Sequence, residues 1–434
     1  MMFSSTNRSS PVVSLRDAVL SGLAPDGGLY LPTALPVLPA DFSSALQGQP
    51  FPAVALTVAR TLLHGDIPDE VLSRIVDEAF DFDTPLHRLD EDTHVLELFH
   101  GPTFAFKDFG ARFMARLMSH FAQDLDHELT ILTATSGDTG SAVAHGFRDV
   151  PGIRVSILYP NGGVSPIQEQ MLTIAGSNIT AIAVEGTFDD CQRLVKQAFV
   201  DPELSRELRL SSANSINIAR LIPQTFYYAY AVTRLPPEHA PVTIAVPSGN
   251  FGNITAGLMA KRMGLPVARF IAACNANDVV VEYLRTGMFT PRPSARTISN
   301  AMDVGNPSNF ARMLEICGHR VEAMWRDLWG TRCSDDETRR AMRAVYDRYG
   351  YVLDPHGAVG YVGLERYRQE HPEPMIDILL GTAHPAKFPE VVREALGITV
   401  DVPNRMREYT EGAHRSITLA NDFSTLKQFL LSWR

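Results

Sequence analysis

The chain has 434 residues, too many for one simple hydrophobic core, and this length favours two or three domains. Its formal net charge of −10 argues against a nucleic-acid partner and against attraction to an anionic membrane surface. The four cysteines are far apart and have neither CxxC spacing nor matching histidine pairs, so we expect no metal site and no disulfide framework. The sequence shows no apolar run of membrane-spanning length and no apolar N-terminal signal segment, which predicts a cytoplasmic location without membrane contact.

Residues 1–92 predict a separate, mainly helical unit. Its segment GLAPDGGLYLP is rich in turn-forming residues, and helical patterns follow at about 53–63 and 69–80. The pattern changes after this unit.

The segment HGPTFAFKDFGARFMARL places Lys107 near the start of a predicted helix. Phe109, Phe113 and Leu117 recur at helical spacing and predict a buried face. Burial and the positive end of the helix dipole both favour the neutral amine, which can attack an aldehyde to form a Schiff base. Taken alone, a lysine in this position is more often a partly buried residue whose ammonium reaches water.

From about residue 129 onward, short β-rich runs alternate with helical patterns, which predicts an α/β fold with a mostly parallel sheet. The candidate strands are 129–135, 154–160, 179–184, 242–247, 269–274 and 375–380. Several lead directly into glycine-rich turns, and ligands of open α/β sheets bind at the carboxyl ends of strands. The segment 288–305 lacks a regular pattern and predicts a loop near the site.

The first strand-to-helix turn is suited to a carboxylate. Glycines let the backbone approach a ligand closely, and hydroxyls at a helix N-terminus donate to an anion. An ordinary capped turn would use the same residue types. The residues of this turn are Ser136, Gly137, Asp138, Thr139 and Gly140.

A second turn is suited to a phosphate, because its glycines and asparagines join a strand to a helix. It lacks the lysine of a Walker A sequence and the spacing of a dinucleotide fingerprint, so a nucleotide is the weaker hypothesis. Its residues are Ser248, Gly249, Asn250, Phe251, Gly252 and Asn253.

A third turn carries Thr382 directly after a predicted strand and a glycine. Its hydroxyl could be an ordinary turn group, or it could bond a heterocyclic nitrogen without adding charge. Together with a buried Lys107, a phosphate turn and a carboxylate turn, it indicates a pyridoxal phosphate (PLP) site acting on an amino acid.

Ten motifs in order carry a resemblance over nearly the whole chain. They are GLAPDGGLYLP, LELFHGPTFAFKDF, TATSGDTGSAVAHGF, VSPIQEQM, GTFDDCQRLVKQAF, NSINIARLIPQ, PSGNFGN, SNAMDVGNPSNF, DPHGAVG and GTAHPAKF. With these motifs the chain resembles the threonine synthases of the long type found in bacteria and fungi. These belong to the second fold type of PLP enzymes, which is similar to the tryptophan synthase β subunit.

The resemblance implies an α/β fold of open, mostly parallel sheets with helices on both faces, plus the N-terminal mainly helical domain. It implies a large PLP-binding domain from residues 93–112 and 211–434, and a small α/β domain from residues 113–210. The resemblance also implies a small amino-acid substrate as the partner, and a protein that is a monomer or a homodimer.

The resemblance also implies roles for the singled-out residues. Lys107 would be the Schiff-base lysine and proton carrier, and Thr382 the partner of the pyridine nitrogen. The turn 248–253 would bind the cofactor phosphate, and the turn 136–139 the substrate α-carboxylate. The residues implied near the substrate phosphate are Asn214, Ser215, Asn217 and Arg220. The implied reaction converts O-phospho-L-homoserine and water to L-threonine and phosphate by γ-elimination and β-hydration.

One turn departs from the family pattern. Asn161 and Gly163 stand where basic residues are common, and a charged bond to phosphate contributes about 1.5–3 kcal/mol unless the site faces solvent. A second hypothesis is therefore a related PLP lyase or replacement enzyme that acts on another γ-substituted or phosphorylated amino acid. A third is a binding or resistance protein that sequesters a substrate analogue, and the intact Lys107 argues against it.

Overall fold

The computed structural model describes residues 1–135, 137–173, 176–236, 240–411 and 415–432. The strands of these residues form three sheets, of three, six and five strands. Within the same residues, no helix combines the length and apolar character needed to cross a membrane. The predicted carboxylate-binding residue Ser136 lies outside the described residues.

The N-terminal unit combines helices with a small antiparallel sheet. Its elements are β1 (Met2–Ser5), β2 (Val13–Ser14), α1 (Leu15–Ser21), β3 (Tyr30–Pro32), α2 (Phe42–Ala45), α3 (Phe51–Leu62) and α4 (Asp69–Ala79). The sheet order is β2–β1–β3. Helices α3 and α4 match the predicted helical patterns. The sheet was not predicted, because strands of two to four residues show no clear alternation.

The rest of the chain alternates strands and helices, as predicted. The strands are β4 (Leu86–Arg88), β5 (Thr93–Glu97), β6 (Leu129–Ala134), β7 (Ile153–Pro160), β8 (Ile179–Glu185), β9 (Arg209–Ser211), β10 (Val242–Pro247), β11 (Val267–Cys274), β12 (Leu328–Arg332), β13 (Ile376–Gly381) and β14 (Ser416–Ala420).

The helices lie between these strands and after them. They are α5 (Lys107–Ala122), α6 (Asp138–Phe147), α7 (Pro166–Leu172), α8 (Phe188–Val200), α9 (Pro202–Glu207), α10 (Ile218–Leu221), α11 (Gln224–Thr233), α12 (Gly252–Arg262), α13 (Val279–Thr286), α14 (Phe310–Ile316), α15 (Val321–Asp327), α16 (Asp335–Tyr349), α17 (Pro355–Glu370), α18 (Pro389–Leu396), α19 (Asn404–Glu411) and α20 (Phe423–Leu431). Two short 3₁₀ helices span Asn300–Met302 and Pro385–Lys387.

The six-stranded sheet has the order β12–β11–β10–β13–β5–β4. Its pairs are parallel except for β4 with β5, which is antiparallel. All six residues of β10 are buried, as expected for a central strand covered on both faces. Strands β10, β11 and β13 confirm the candidate strands at 242–247, 269–274 and 375–380.

The five-stranded sheet is parallel throughout, with the order β14–β8–β7–β6–β9. Strands β6, β7 and β8 confirm the candidate strands at 129–135, 154–160 and 179–184. Strand β14 pairs with β8, so residues 416–420 join the smaller sheet although the predicted boundary placed 211–434 in the large domain. The remaining domain limits stay a prediction.

Aromatic packing fixes the helix that begins at Lys107. Phe109 and Phe113 of α5 are fully buried. The Phe109 ring lies 5.2 Å from that of Phe51 and 5.7 Å from that of Phe80, measured between centroids. Each fully buried phenylalanine stabilises the fold by about 1.5–3 kcal/mol. The N-terminal unit therefore helps to hold α5 in place.

Three strand ends lead into the predicted turns. Strand β6 leads to the N-terminus of α6, β10 leads to α12, and β13 leads to the turn that contains Thr382. The loop predicted at 288–305 has neither helix nor strand from 288 to 299 and then forms the 3₁₀ helix Asn300–Met302. The carboxyl ends of β6, β10 and β13 are therefore the region in which a ligand is expected.

Candidate active site

Lys107 is the first residue of α5, and backbone hydrogen bonds hold it beside the turn after β13. The Phe106 N–H donates to the Thr382 carbonyl over 2.9 Å, and the His384 N–H donates to the Phe104 carbonyl over 3.0 Å. These bonds join two segments that are far apart in sequence. Lys107 and Thr382 therefore sit in neighbouring, mutually paired segments.

The buried carboxyl of Asp108 shapes the segment before the helix. It accepts from the Thr103 N–H over 2.8 Å and from the Thr103 hydroxyl over 2.7 Å. Burial raises the pKa of this carboxyl to about 6, although the two Thr103 bonds and nearby cations oppose the shift. Gly101 packs so closely on Asp108 that a Cβ there would lie 2.5 Å from a carboxyl oxygen. The sequence pattern does not reveal this role of Asp108.

The Lys107 ammonium is poorly solvated, since only 16% of its side chain is exposed. Burial lowers its pKa to about 8, helped by the positive charges of Lys387 and Arg220 and opposed by Asp138. An amine with that pKa is neutral in roughly a tenth of molecules at pH 7, far more often than an ordinary lysine amine. Lys107 can therefore act as a nucleophile towards a carbonyl group.

Asp138 lies between two lysines. One carboxyl oxygen is 2.6 Å from Lys387 Nζ, and the other is 4.0 Å from Lys107 Nζ. Burial alone would raise the pKa of this carboxyl, but the two ammonium groups hold it well below its usual range. Asp138 is thus a buried anion whose charge already has partners. Any binding of a substrate carboxylate at this turn has to come from other groups, such as its backbone N–H groups.

Lys387 is a site residue that the sequence analysis missed. Its side chain is 1% exposed, and it also donates to the Thr103 carbonyl over 3.1 Å. The signal was present in the motif GTAHPAKF, where a lysine follows Thr382 by five positions. The spacing does not reveal that the 3₁₀ helix 385–387 turns this side chain towards Asp138.

The turn between β6 and α6 is closely packed around Thr135. The Thr135 hydroxyl accepts from the N–H groups of Gly137 and Gly140, over 3.0 and 2.8 Å. Gly137 has a φ of 141°, and a Cβ there would lie 2.5 Å from the Gln168 side chain. Thr139 is half-buried in the first turn of α6. The positive φ of Gly137 and the lack of space for a Cβ therefore require a glycine at this position.

The turn after β10, the predicted phosphate cradle of residues 248–253, lies at the start of α12. Phe251 adopts a left-handed conformation with a φ of 60°, and Gly252 begins the helix. At Gly249, a Cβ would lie 2.6 Å from the Cα of Met302 in the 288–305 loop. The Ser248 hydroxyl donates to the Val246 carbonyl over 2.8 Å. The 288–305 loop therefore packs directly on this turn.

Asn250 ties this turn to two other segments. Its Nδ2 donates to the Ser215 hydroxyl over 2.6 Å, and its Oδ1 accepts from the Ser308 N–H over 2.8 Å. Ser215 is thus brought next to the cradle.

Asn253 supplies a test of whether the cradle suits a phosphate. Its Oδ1 accepts from the hydroxyls of Tyr227 and Tyr228, over 2.6 and 2.7 Å. Its Nδ2 is buried and has no hydrogen-bond partner among the described residues. An unpaired buried donor at a helix N-terminus is satisfied by an anion, so the residues present fit a cofactor phosphate.

Three other residues predicted near the substrate phosphate are Asn214, Arg220 and Asn217, and each has different hydrogen-bond partners. Asn214 accepts from the Thr133 hydroxyl over 2.9 Å at the end of β6. Arg220 is buried, donates to the Ala213 carbonyl over 2.7 Å, and has its pKa lowered to about 10 by burial. Asn217 has its amide taken up by backbone, because it donates to two carbonyls and accepts from the Ala219 N–H.

The turn that departs from the family pattern is on the surface. Asn161 and Gly163 are exposed, and the Gly163 N–H donates to the Pro160 carbonyl over 2.9 Å. Behind the turn, Ser165 caps α7 in a capping box with Gln168, whose amide lies 3.2 Å from an Asp138 oxygen. Exposure at positions 161 and 163 favours the hypothesis that the missing basic residues matter little.

The fold and this site define a PLP-dependent enzyme of the second fold type. A family profile described as "Pyridoxal-phosphate dependent enzyme" matches residues 79–380. Profiles described as "Threonine synthase N terminus" and "Threonine synthase, C-terminal" match residues 2–80 and 357–430.

Relatives of known function and structure extend this match. A threonine synthase from Escherichia coli is 44% identical over 421 residues, which cover 97% of each chain. The crystal structure of threonine synthase from Escherichia coli matches with a TM-score of 0.91 at 42% identity, covering 100% of both chains. A PLP-bound threonine synthase from Brucella melitensis matches with a TM-score of 0.93 at 37% identity, covering 99% of this chain and 98% of that one. The chain belongs to the threonine synthase family.

Proposed function

We propose that this enzyme converts O-phospho-L-homoserine and water to L-threonine and phosphate. The observation that carries the proposal is the Lys107 amine, which lies at a helix start with a pKa lowered to about 8 and a buried carboxylate nearby. The full-length likeness to threonine synthases supports the choice of reaction.

The chain offers three contacts for the cofactor. Lys107 would bind it covalently, and the turn 248–253 would bind its phosphate through backbone N–H groups and the free Asn253 amide. Thr382 would face the pyridine nitrogen as an uncharged partner. When bound, PLP supplies an electron sink that acidifies the hydrogens next to the amino group of the substrate.

Lys107 would also move protons between substrate atoms. A pKa of about 8 lets the amine accept and release a proton near neutral pH without a large energetic penalty. Asp138 would hold the amine in place by charge, and Lys387 would keep Asp138 ionised and fixed when Lys107 is neutral. The charge around the Lys107 amine would then stay constant while the amine gains and loses a proton.

We propose the substrate contacts on the same basis. The turn 136–139 would bind the α-carboxylate through the N-terminus of α6 rather than through the Asp138 carboxylate, whose charge is already paired. Asn214, Ser215 and Arg220 would lie near the substrate phosphate. For Asn217 we propose an N-capping role in place of substrate binding, because its amide is fully occupied by backbone groups.

The alternative function is that of a PLP lyase or replacement enzyme for a different γ-substituted amino acid. It rests on Asn161 and Gly163, where the family resemblance leads us to expect basic residues, and the solvent exposure of both positions argues against it. The cytoplasmic location and the monomeric or homodimeric state also stay proposals.

The deciding experiment follows two products at once. Purified holoenzyme is incubated with O-phospho-L-homoserine, and phosphate and threonine are measured, with the Lys107→Ala variant as the matched inactive control. We expect equal amounts of the two products. Phosphate release without threonine would support the alternative lyase, and neither product would contradict the proposed reaction.

A further inference from the structure

Arg312 in α14 is a fully buried cation that has no anionic partner among the described residues. Its guanidinium donates to the carbonyls of Tyr30, Ser215 and Ile216 over 2.9, 2.9 and 2.6 Å, and to Asn309 Oδ1 over 2.7 Å. All four acceptors are neutral, and Arg312 forms no ion pair with any carboxylate of the described residues. Burial lowers its pKa to about 9. A buried charge without a counter-ion is costly, so its presence needs an explanation.

The neighbours of Arg312 lead directly to the phosphate cradle. Ser215, whose carbonyl accepts from Arg312, accepts from Asn250 of the cradle through its hydroxyl. Asn309 lies against the first residue of α12, because its Nδ2 is 3.4 Å from the position of a Cβ on Gly252. The guanidinium is therefore linked to the turn that would hold the cofactor phosphate through one intervening residue, either Ser215 or Asn309.

Asn309 has one unused donor at this place. Its Oδ1 is taken by Arg312, which fixes the orientation of the amide. Its Nδ2 is buried and has no hydrogen-bond partner among the described residues. An asparagine that is oriented by a cation and presents an unpaired donor at a helix N-terminus is suited to an anion.

We propose that Asn309 donates a hydrogen bond to the cofactor phosphate, and that Arg312 is the buried counter-charge of that phosphate. This inference rests on the assignment of the 248–253 turn to the cofactor phosphate and adds two residues to it. Arg312 acts through Asn309 and Ser215 and is a positioning residue. It also bonds the Tyr30 carbonyl, so phosphate binding is linked to the packing of the N-terminal unit.

The competing explanation is purely structural. Arg312 could serve only to join three chain segments, those around residues 30, 215 and 309. A structural tie predicts that its loss harms all ligands equally, whereas a counter-charge predicts a loss specific to the phosphate group.

The Asn309→Asp variant separates the two explanations. The change is isosteric and keeps an acceptor for Arg312, but replaces the free donor by a negatively charged oxygen. Apoprotein is titrated with PLP and with pyridoxal, which lacks the phosphate, and cofactor absorbance is followed. We expect the dissociation constant for PLP to rise about tenfold or more, and that for pyridoxal to stay within about twofold. The melting temperature of the apoprotein should not fall, because Arg312 gains an anionic partner.

Two further variants complete the test. Asn404→Asp adds the same charge at an exposed position and should leave both affinities unchanged. Arg312→Met removes the counter-charge and should lower the preference for PLP over pyridoxal in the folded fraction. An unchanged preference in both Asn309→Asp and Arg312→Met would overturn the inference, as would an equal loss for the two ligands. Failure of the wild type to bind PLP would instead contradict the proposed function.

Discussion

The buried ion pair between Lys387 and Asp138 allows a sharp test of the site. Replacing Lys387 by methionine keeps the length and apolar volume of the side chain but leaves Asp138 buried with one fewer cation. Breaking such a pair from one side costs about 3–5 kcal/mol. In the variant, Asp138 keeps the Gln168 amide at 3.2 Å and Lys107 at 4.0 Å. We therefore expect the free energy of unfolding to fall by about 3 kcal/mol.

The stability loss should depend on pH in a defined direction. The pKa of Asp138 is lowered in the folded protein, so its ionised form stabilises the fold above the unfolded-state pKa of about 3.9. That contribution is lost as the pH falls through the folded-state pKa. The difference between wild type and Lys387→Met should therefore be complete at pH 7 and should shrink in acid below the usual aspartate range.

The same variant should change the chemistry of Lys107. The positive charge of Lys387 is one cause of the lowered Lys107 pKa, so its removal should raise that pKa above about 8. The rate at which apoprotein captures PLP covalently should then fall at pH 7 and recover at higher pH.

The assays are urea unfolding of the apoprotein and the pH dependence of covalent PLP capture. Lys387→Arg, which keeps the charge, is the matched control and should lose less in both. If Lys387→Met were as stable as wild type and showed the same pH profile for capture, the proposed role of the ion pair would be wrong.

Five further substitutions test the phosphate cradle, the partner of the pyridine nitrogen and the exposed turn at 161–163. Gly249→Ala should weaken PLP binding by about 1–3 kcal/mol, because a Cβ there would lie 2.6 Å from Met302. Gly252→Ala should weaken it much less, because a Cβ there would lie 3.4 Å from its nearest neighbour. Equal affinities of the two variants in PLP titrations would refute this prediction. Thr382→Asp should raise the share of 2-oxobutanoate in the products, because a carboxylate would hold the pyridine nitrogen protonated. Thr382→Val should not raise that share. An unchanged share of 2-oxobutanoate in both variants would show that Thr382 does not face the ring. Gly163→Arg should change the KM for O-phosphohomoserine by no more than about twofold at low and high salt, because the turn is exposed. A large, salt-sensitive fall in KM would show that the turn reaches the substrate phosphate.

Much of the fold could be predicted from local patterns. The strands β6, β7, β8, β10, β11 and β13 are short β-rich runs, several of them end in glycine-rich turns, and both features are encoded by neighbouring residues. The α5 face was predicted because Phe109, Phe113 and Leu117 repeat at helical spacing.

Strand β14 was not predicted because its residues alternate only between half-buried and exposed, as in an edge strand, and its partner β8 is distant in sequence. Such pairings depend on the tertiary fold and leave little local signal.

The candidate site divides in the same way. Glycine positions such as Gly137 and Gly249 were predictable, because a close backbone approach leaves no room for a side chain. The charge environment was not predictable, since Lys387 and Asp138 lie far apart in sequence and meet only where the 3₁₀ helix 385–387 packs beside the start of α6. The hydrogen bonds of Asn217 were not predictable for a related reason, because its backbone partners include the Val19 carbonyl of the N-terminal unit.

The most direct test of the central claim is to identify the lysine that holds the cofactor. Holoenzyme is reduced with borohydride and digested, and the labelled peptide is sequenced by mass spectrometry. We predict one label, on Lys107, with loss of the label and of visible cofactor absorbance in Lys107→Ala. Lys387 is the nearest competitor, because its Nζ lies 2.6 Å from the same carboxylate. A label on Lys387 or on any other lysine would contradict the account.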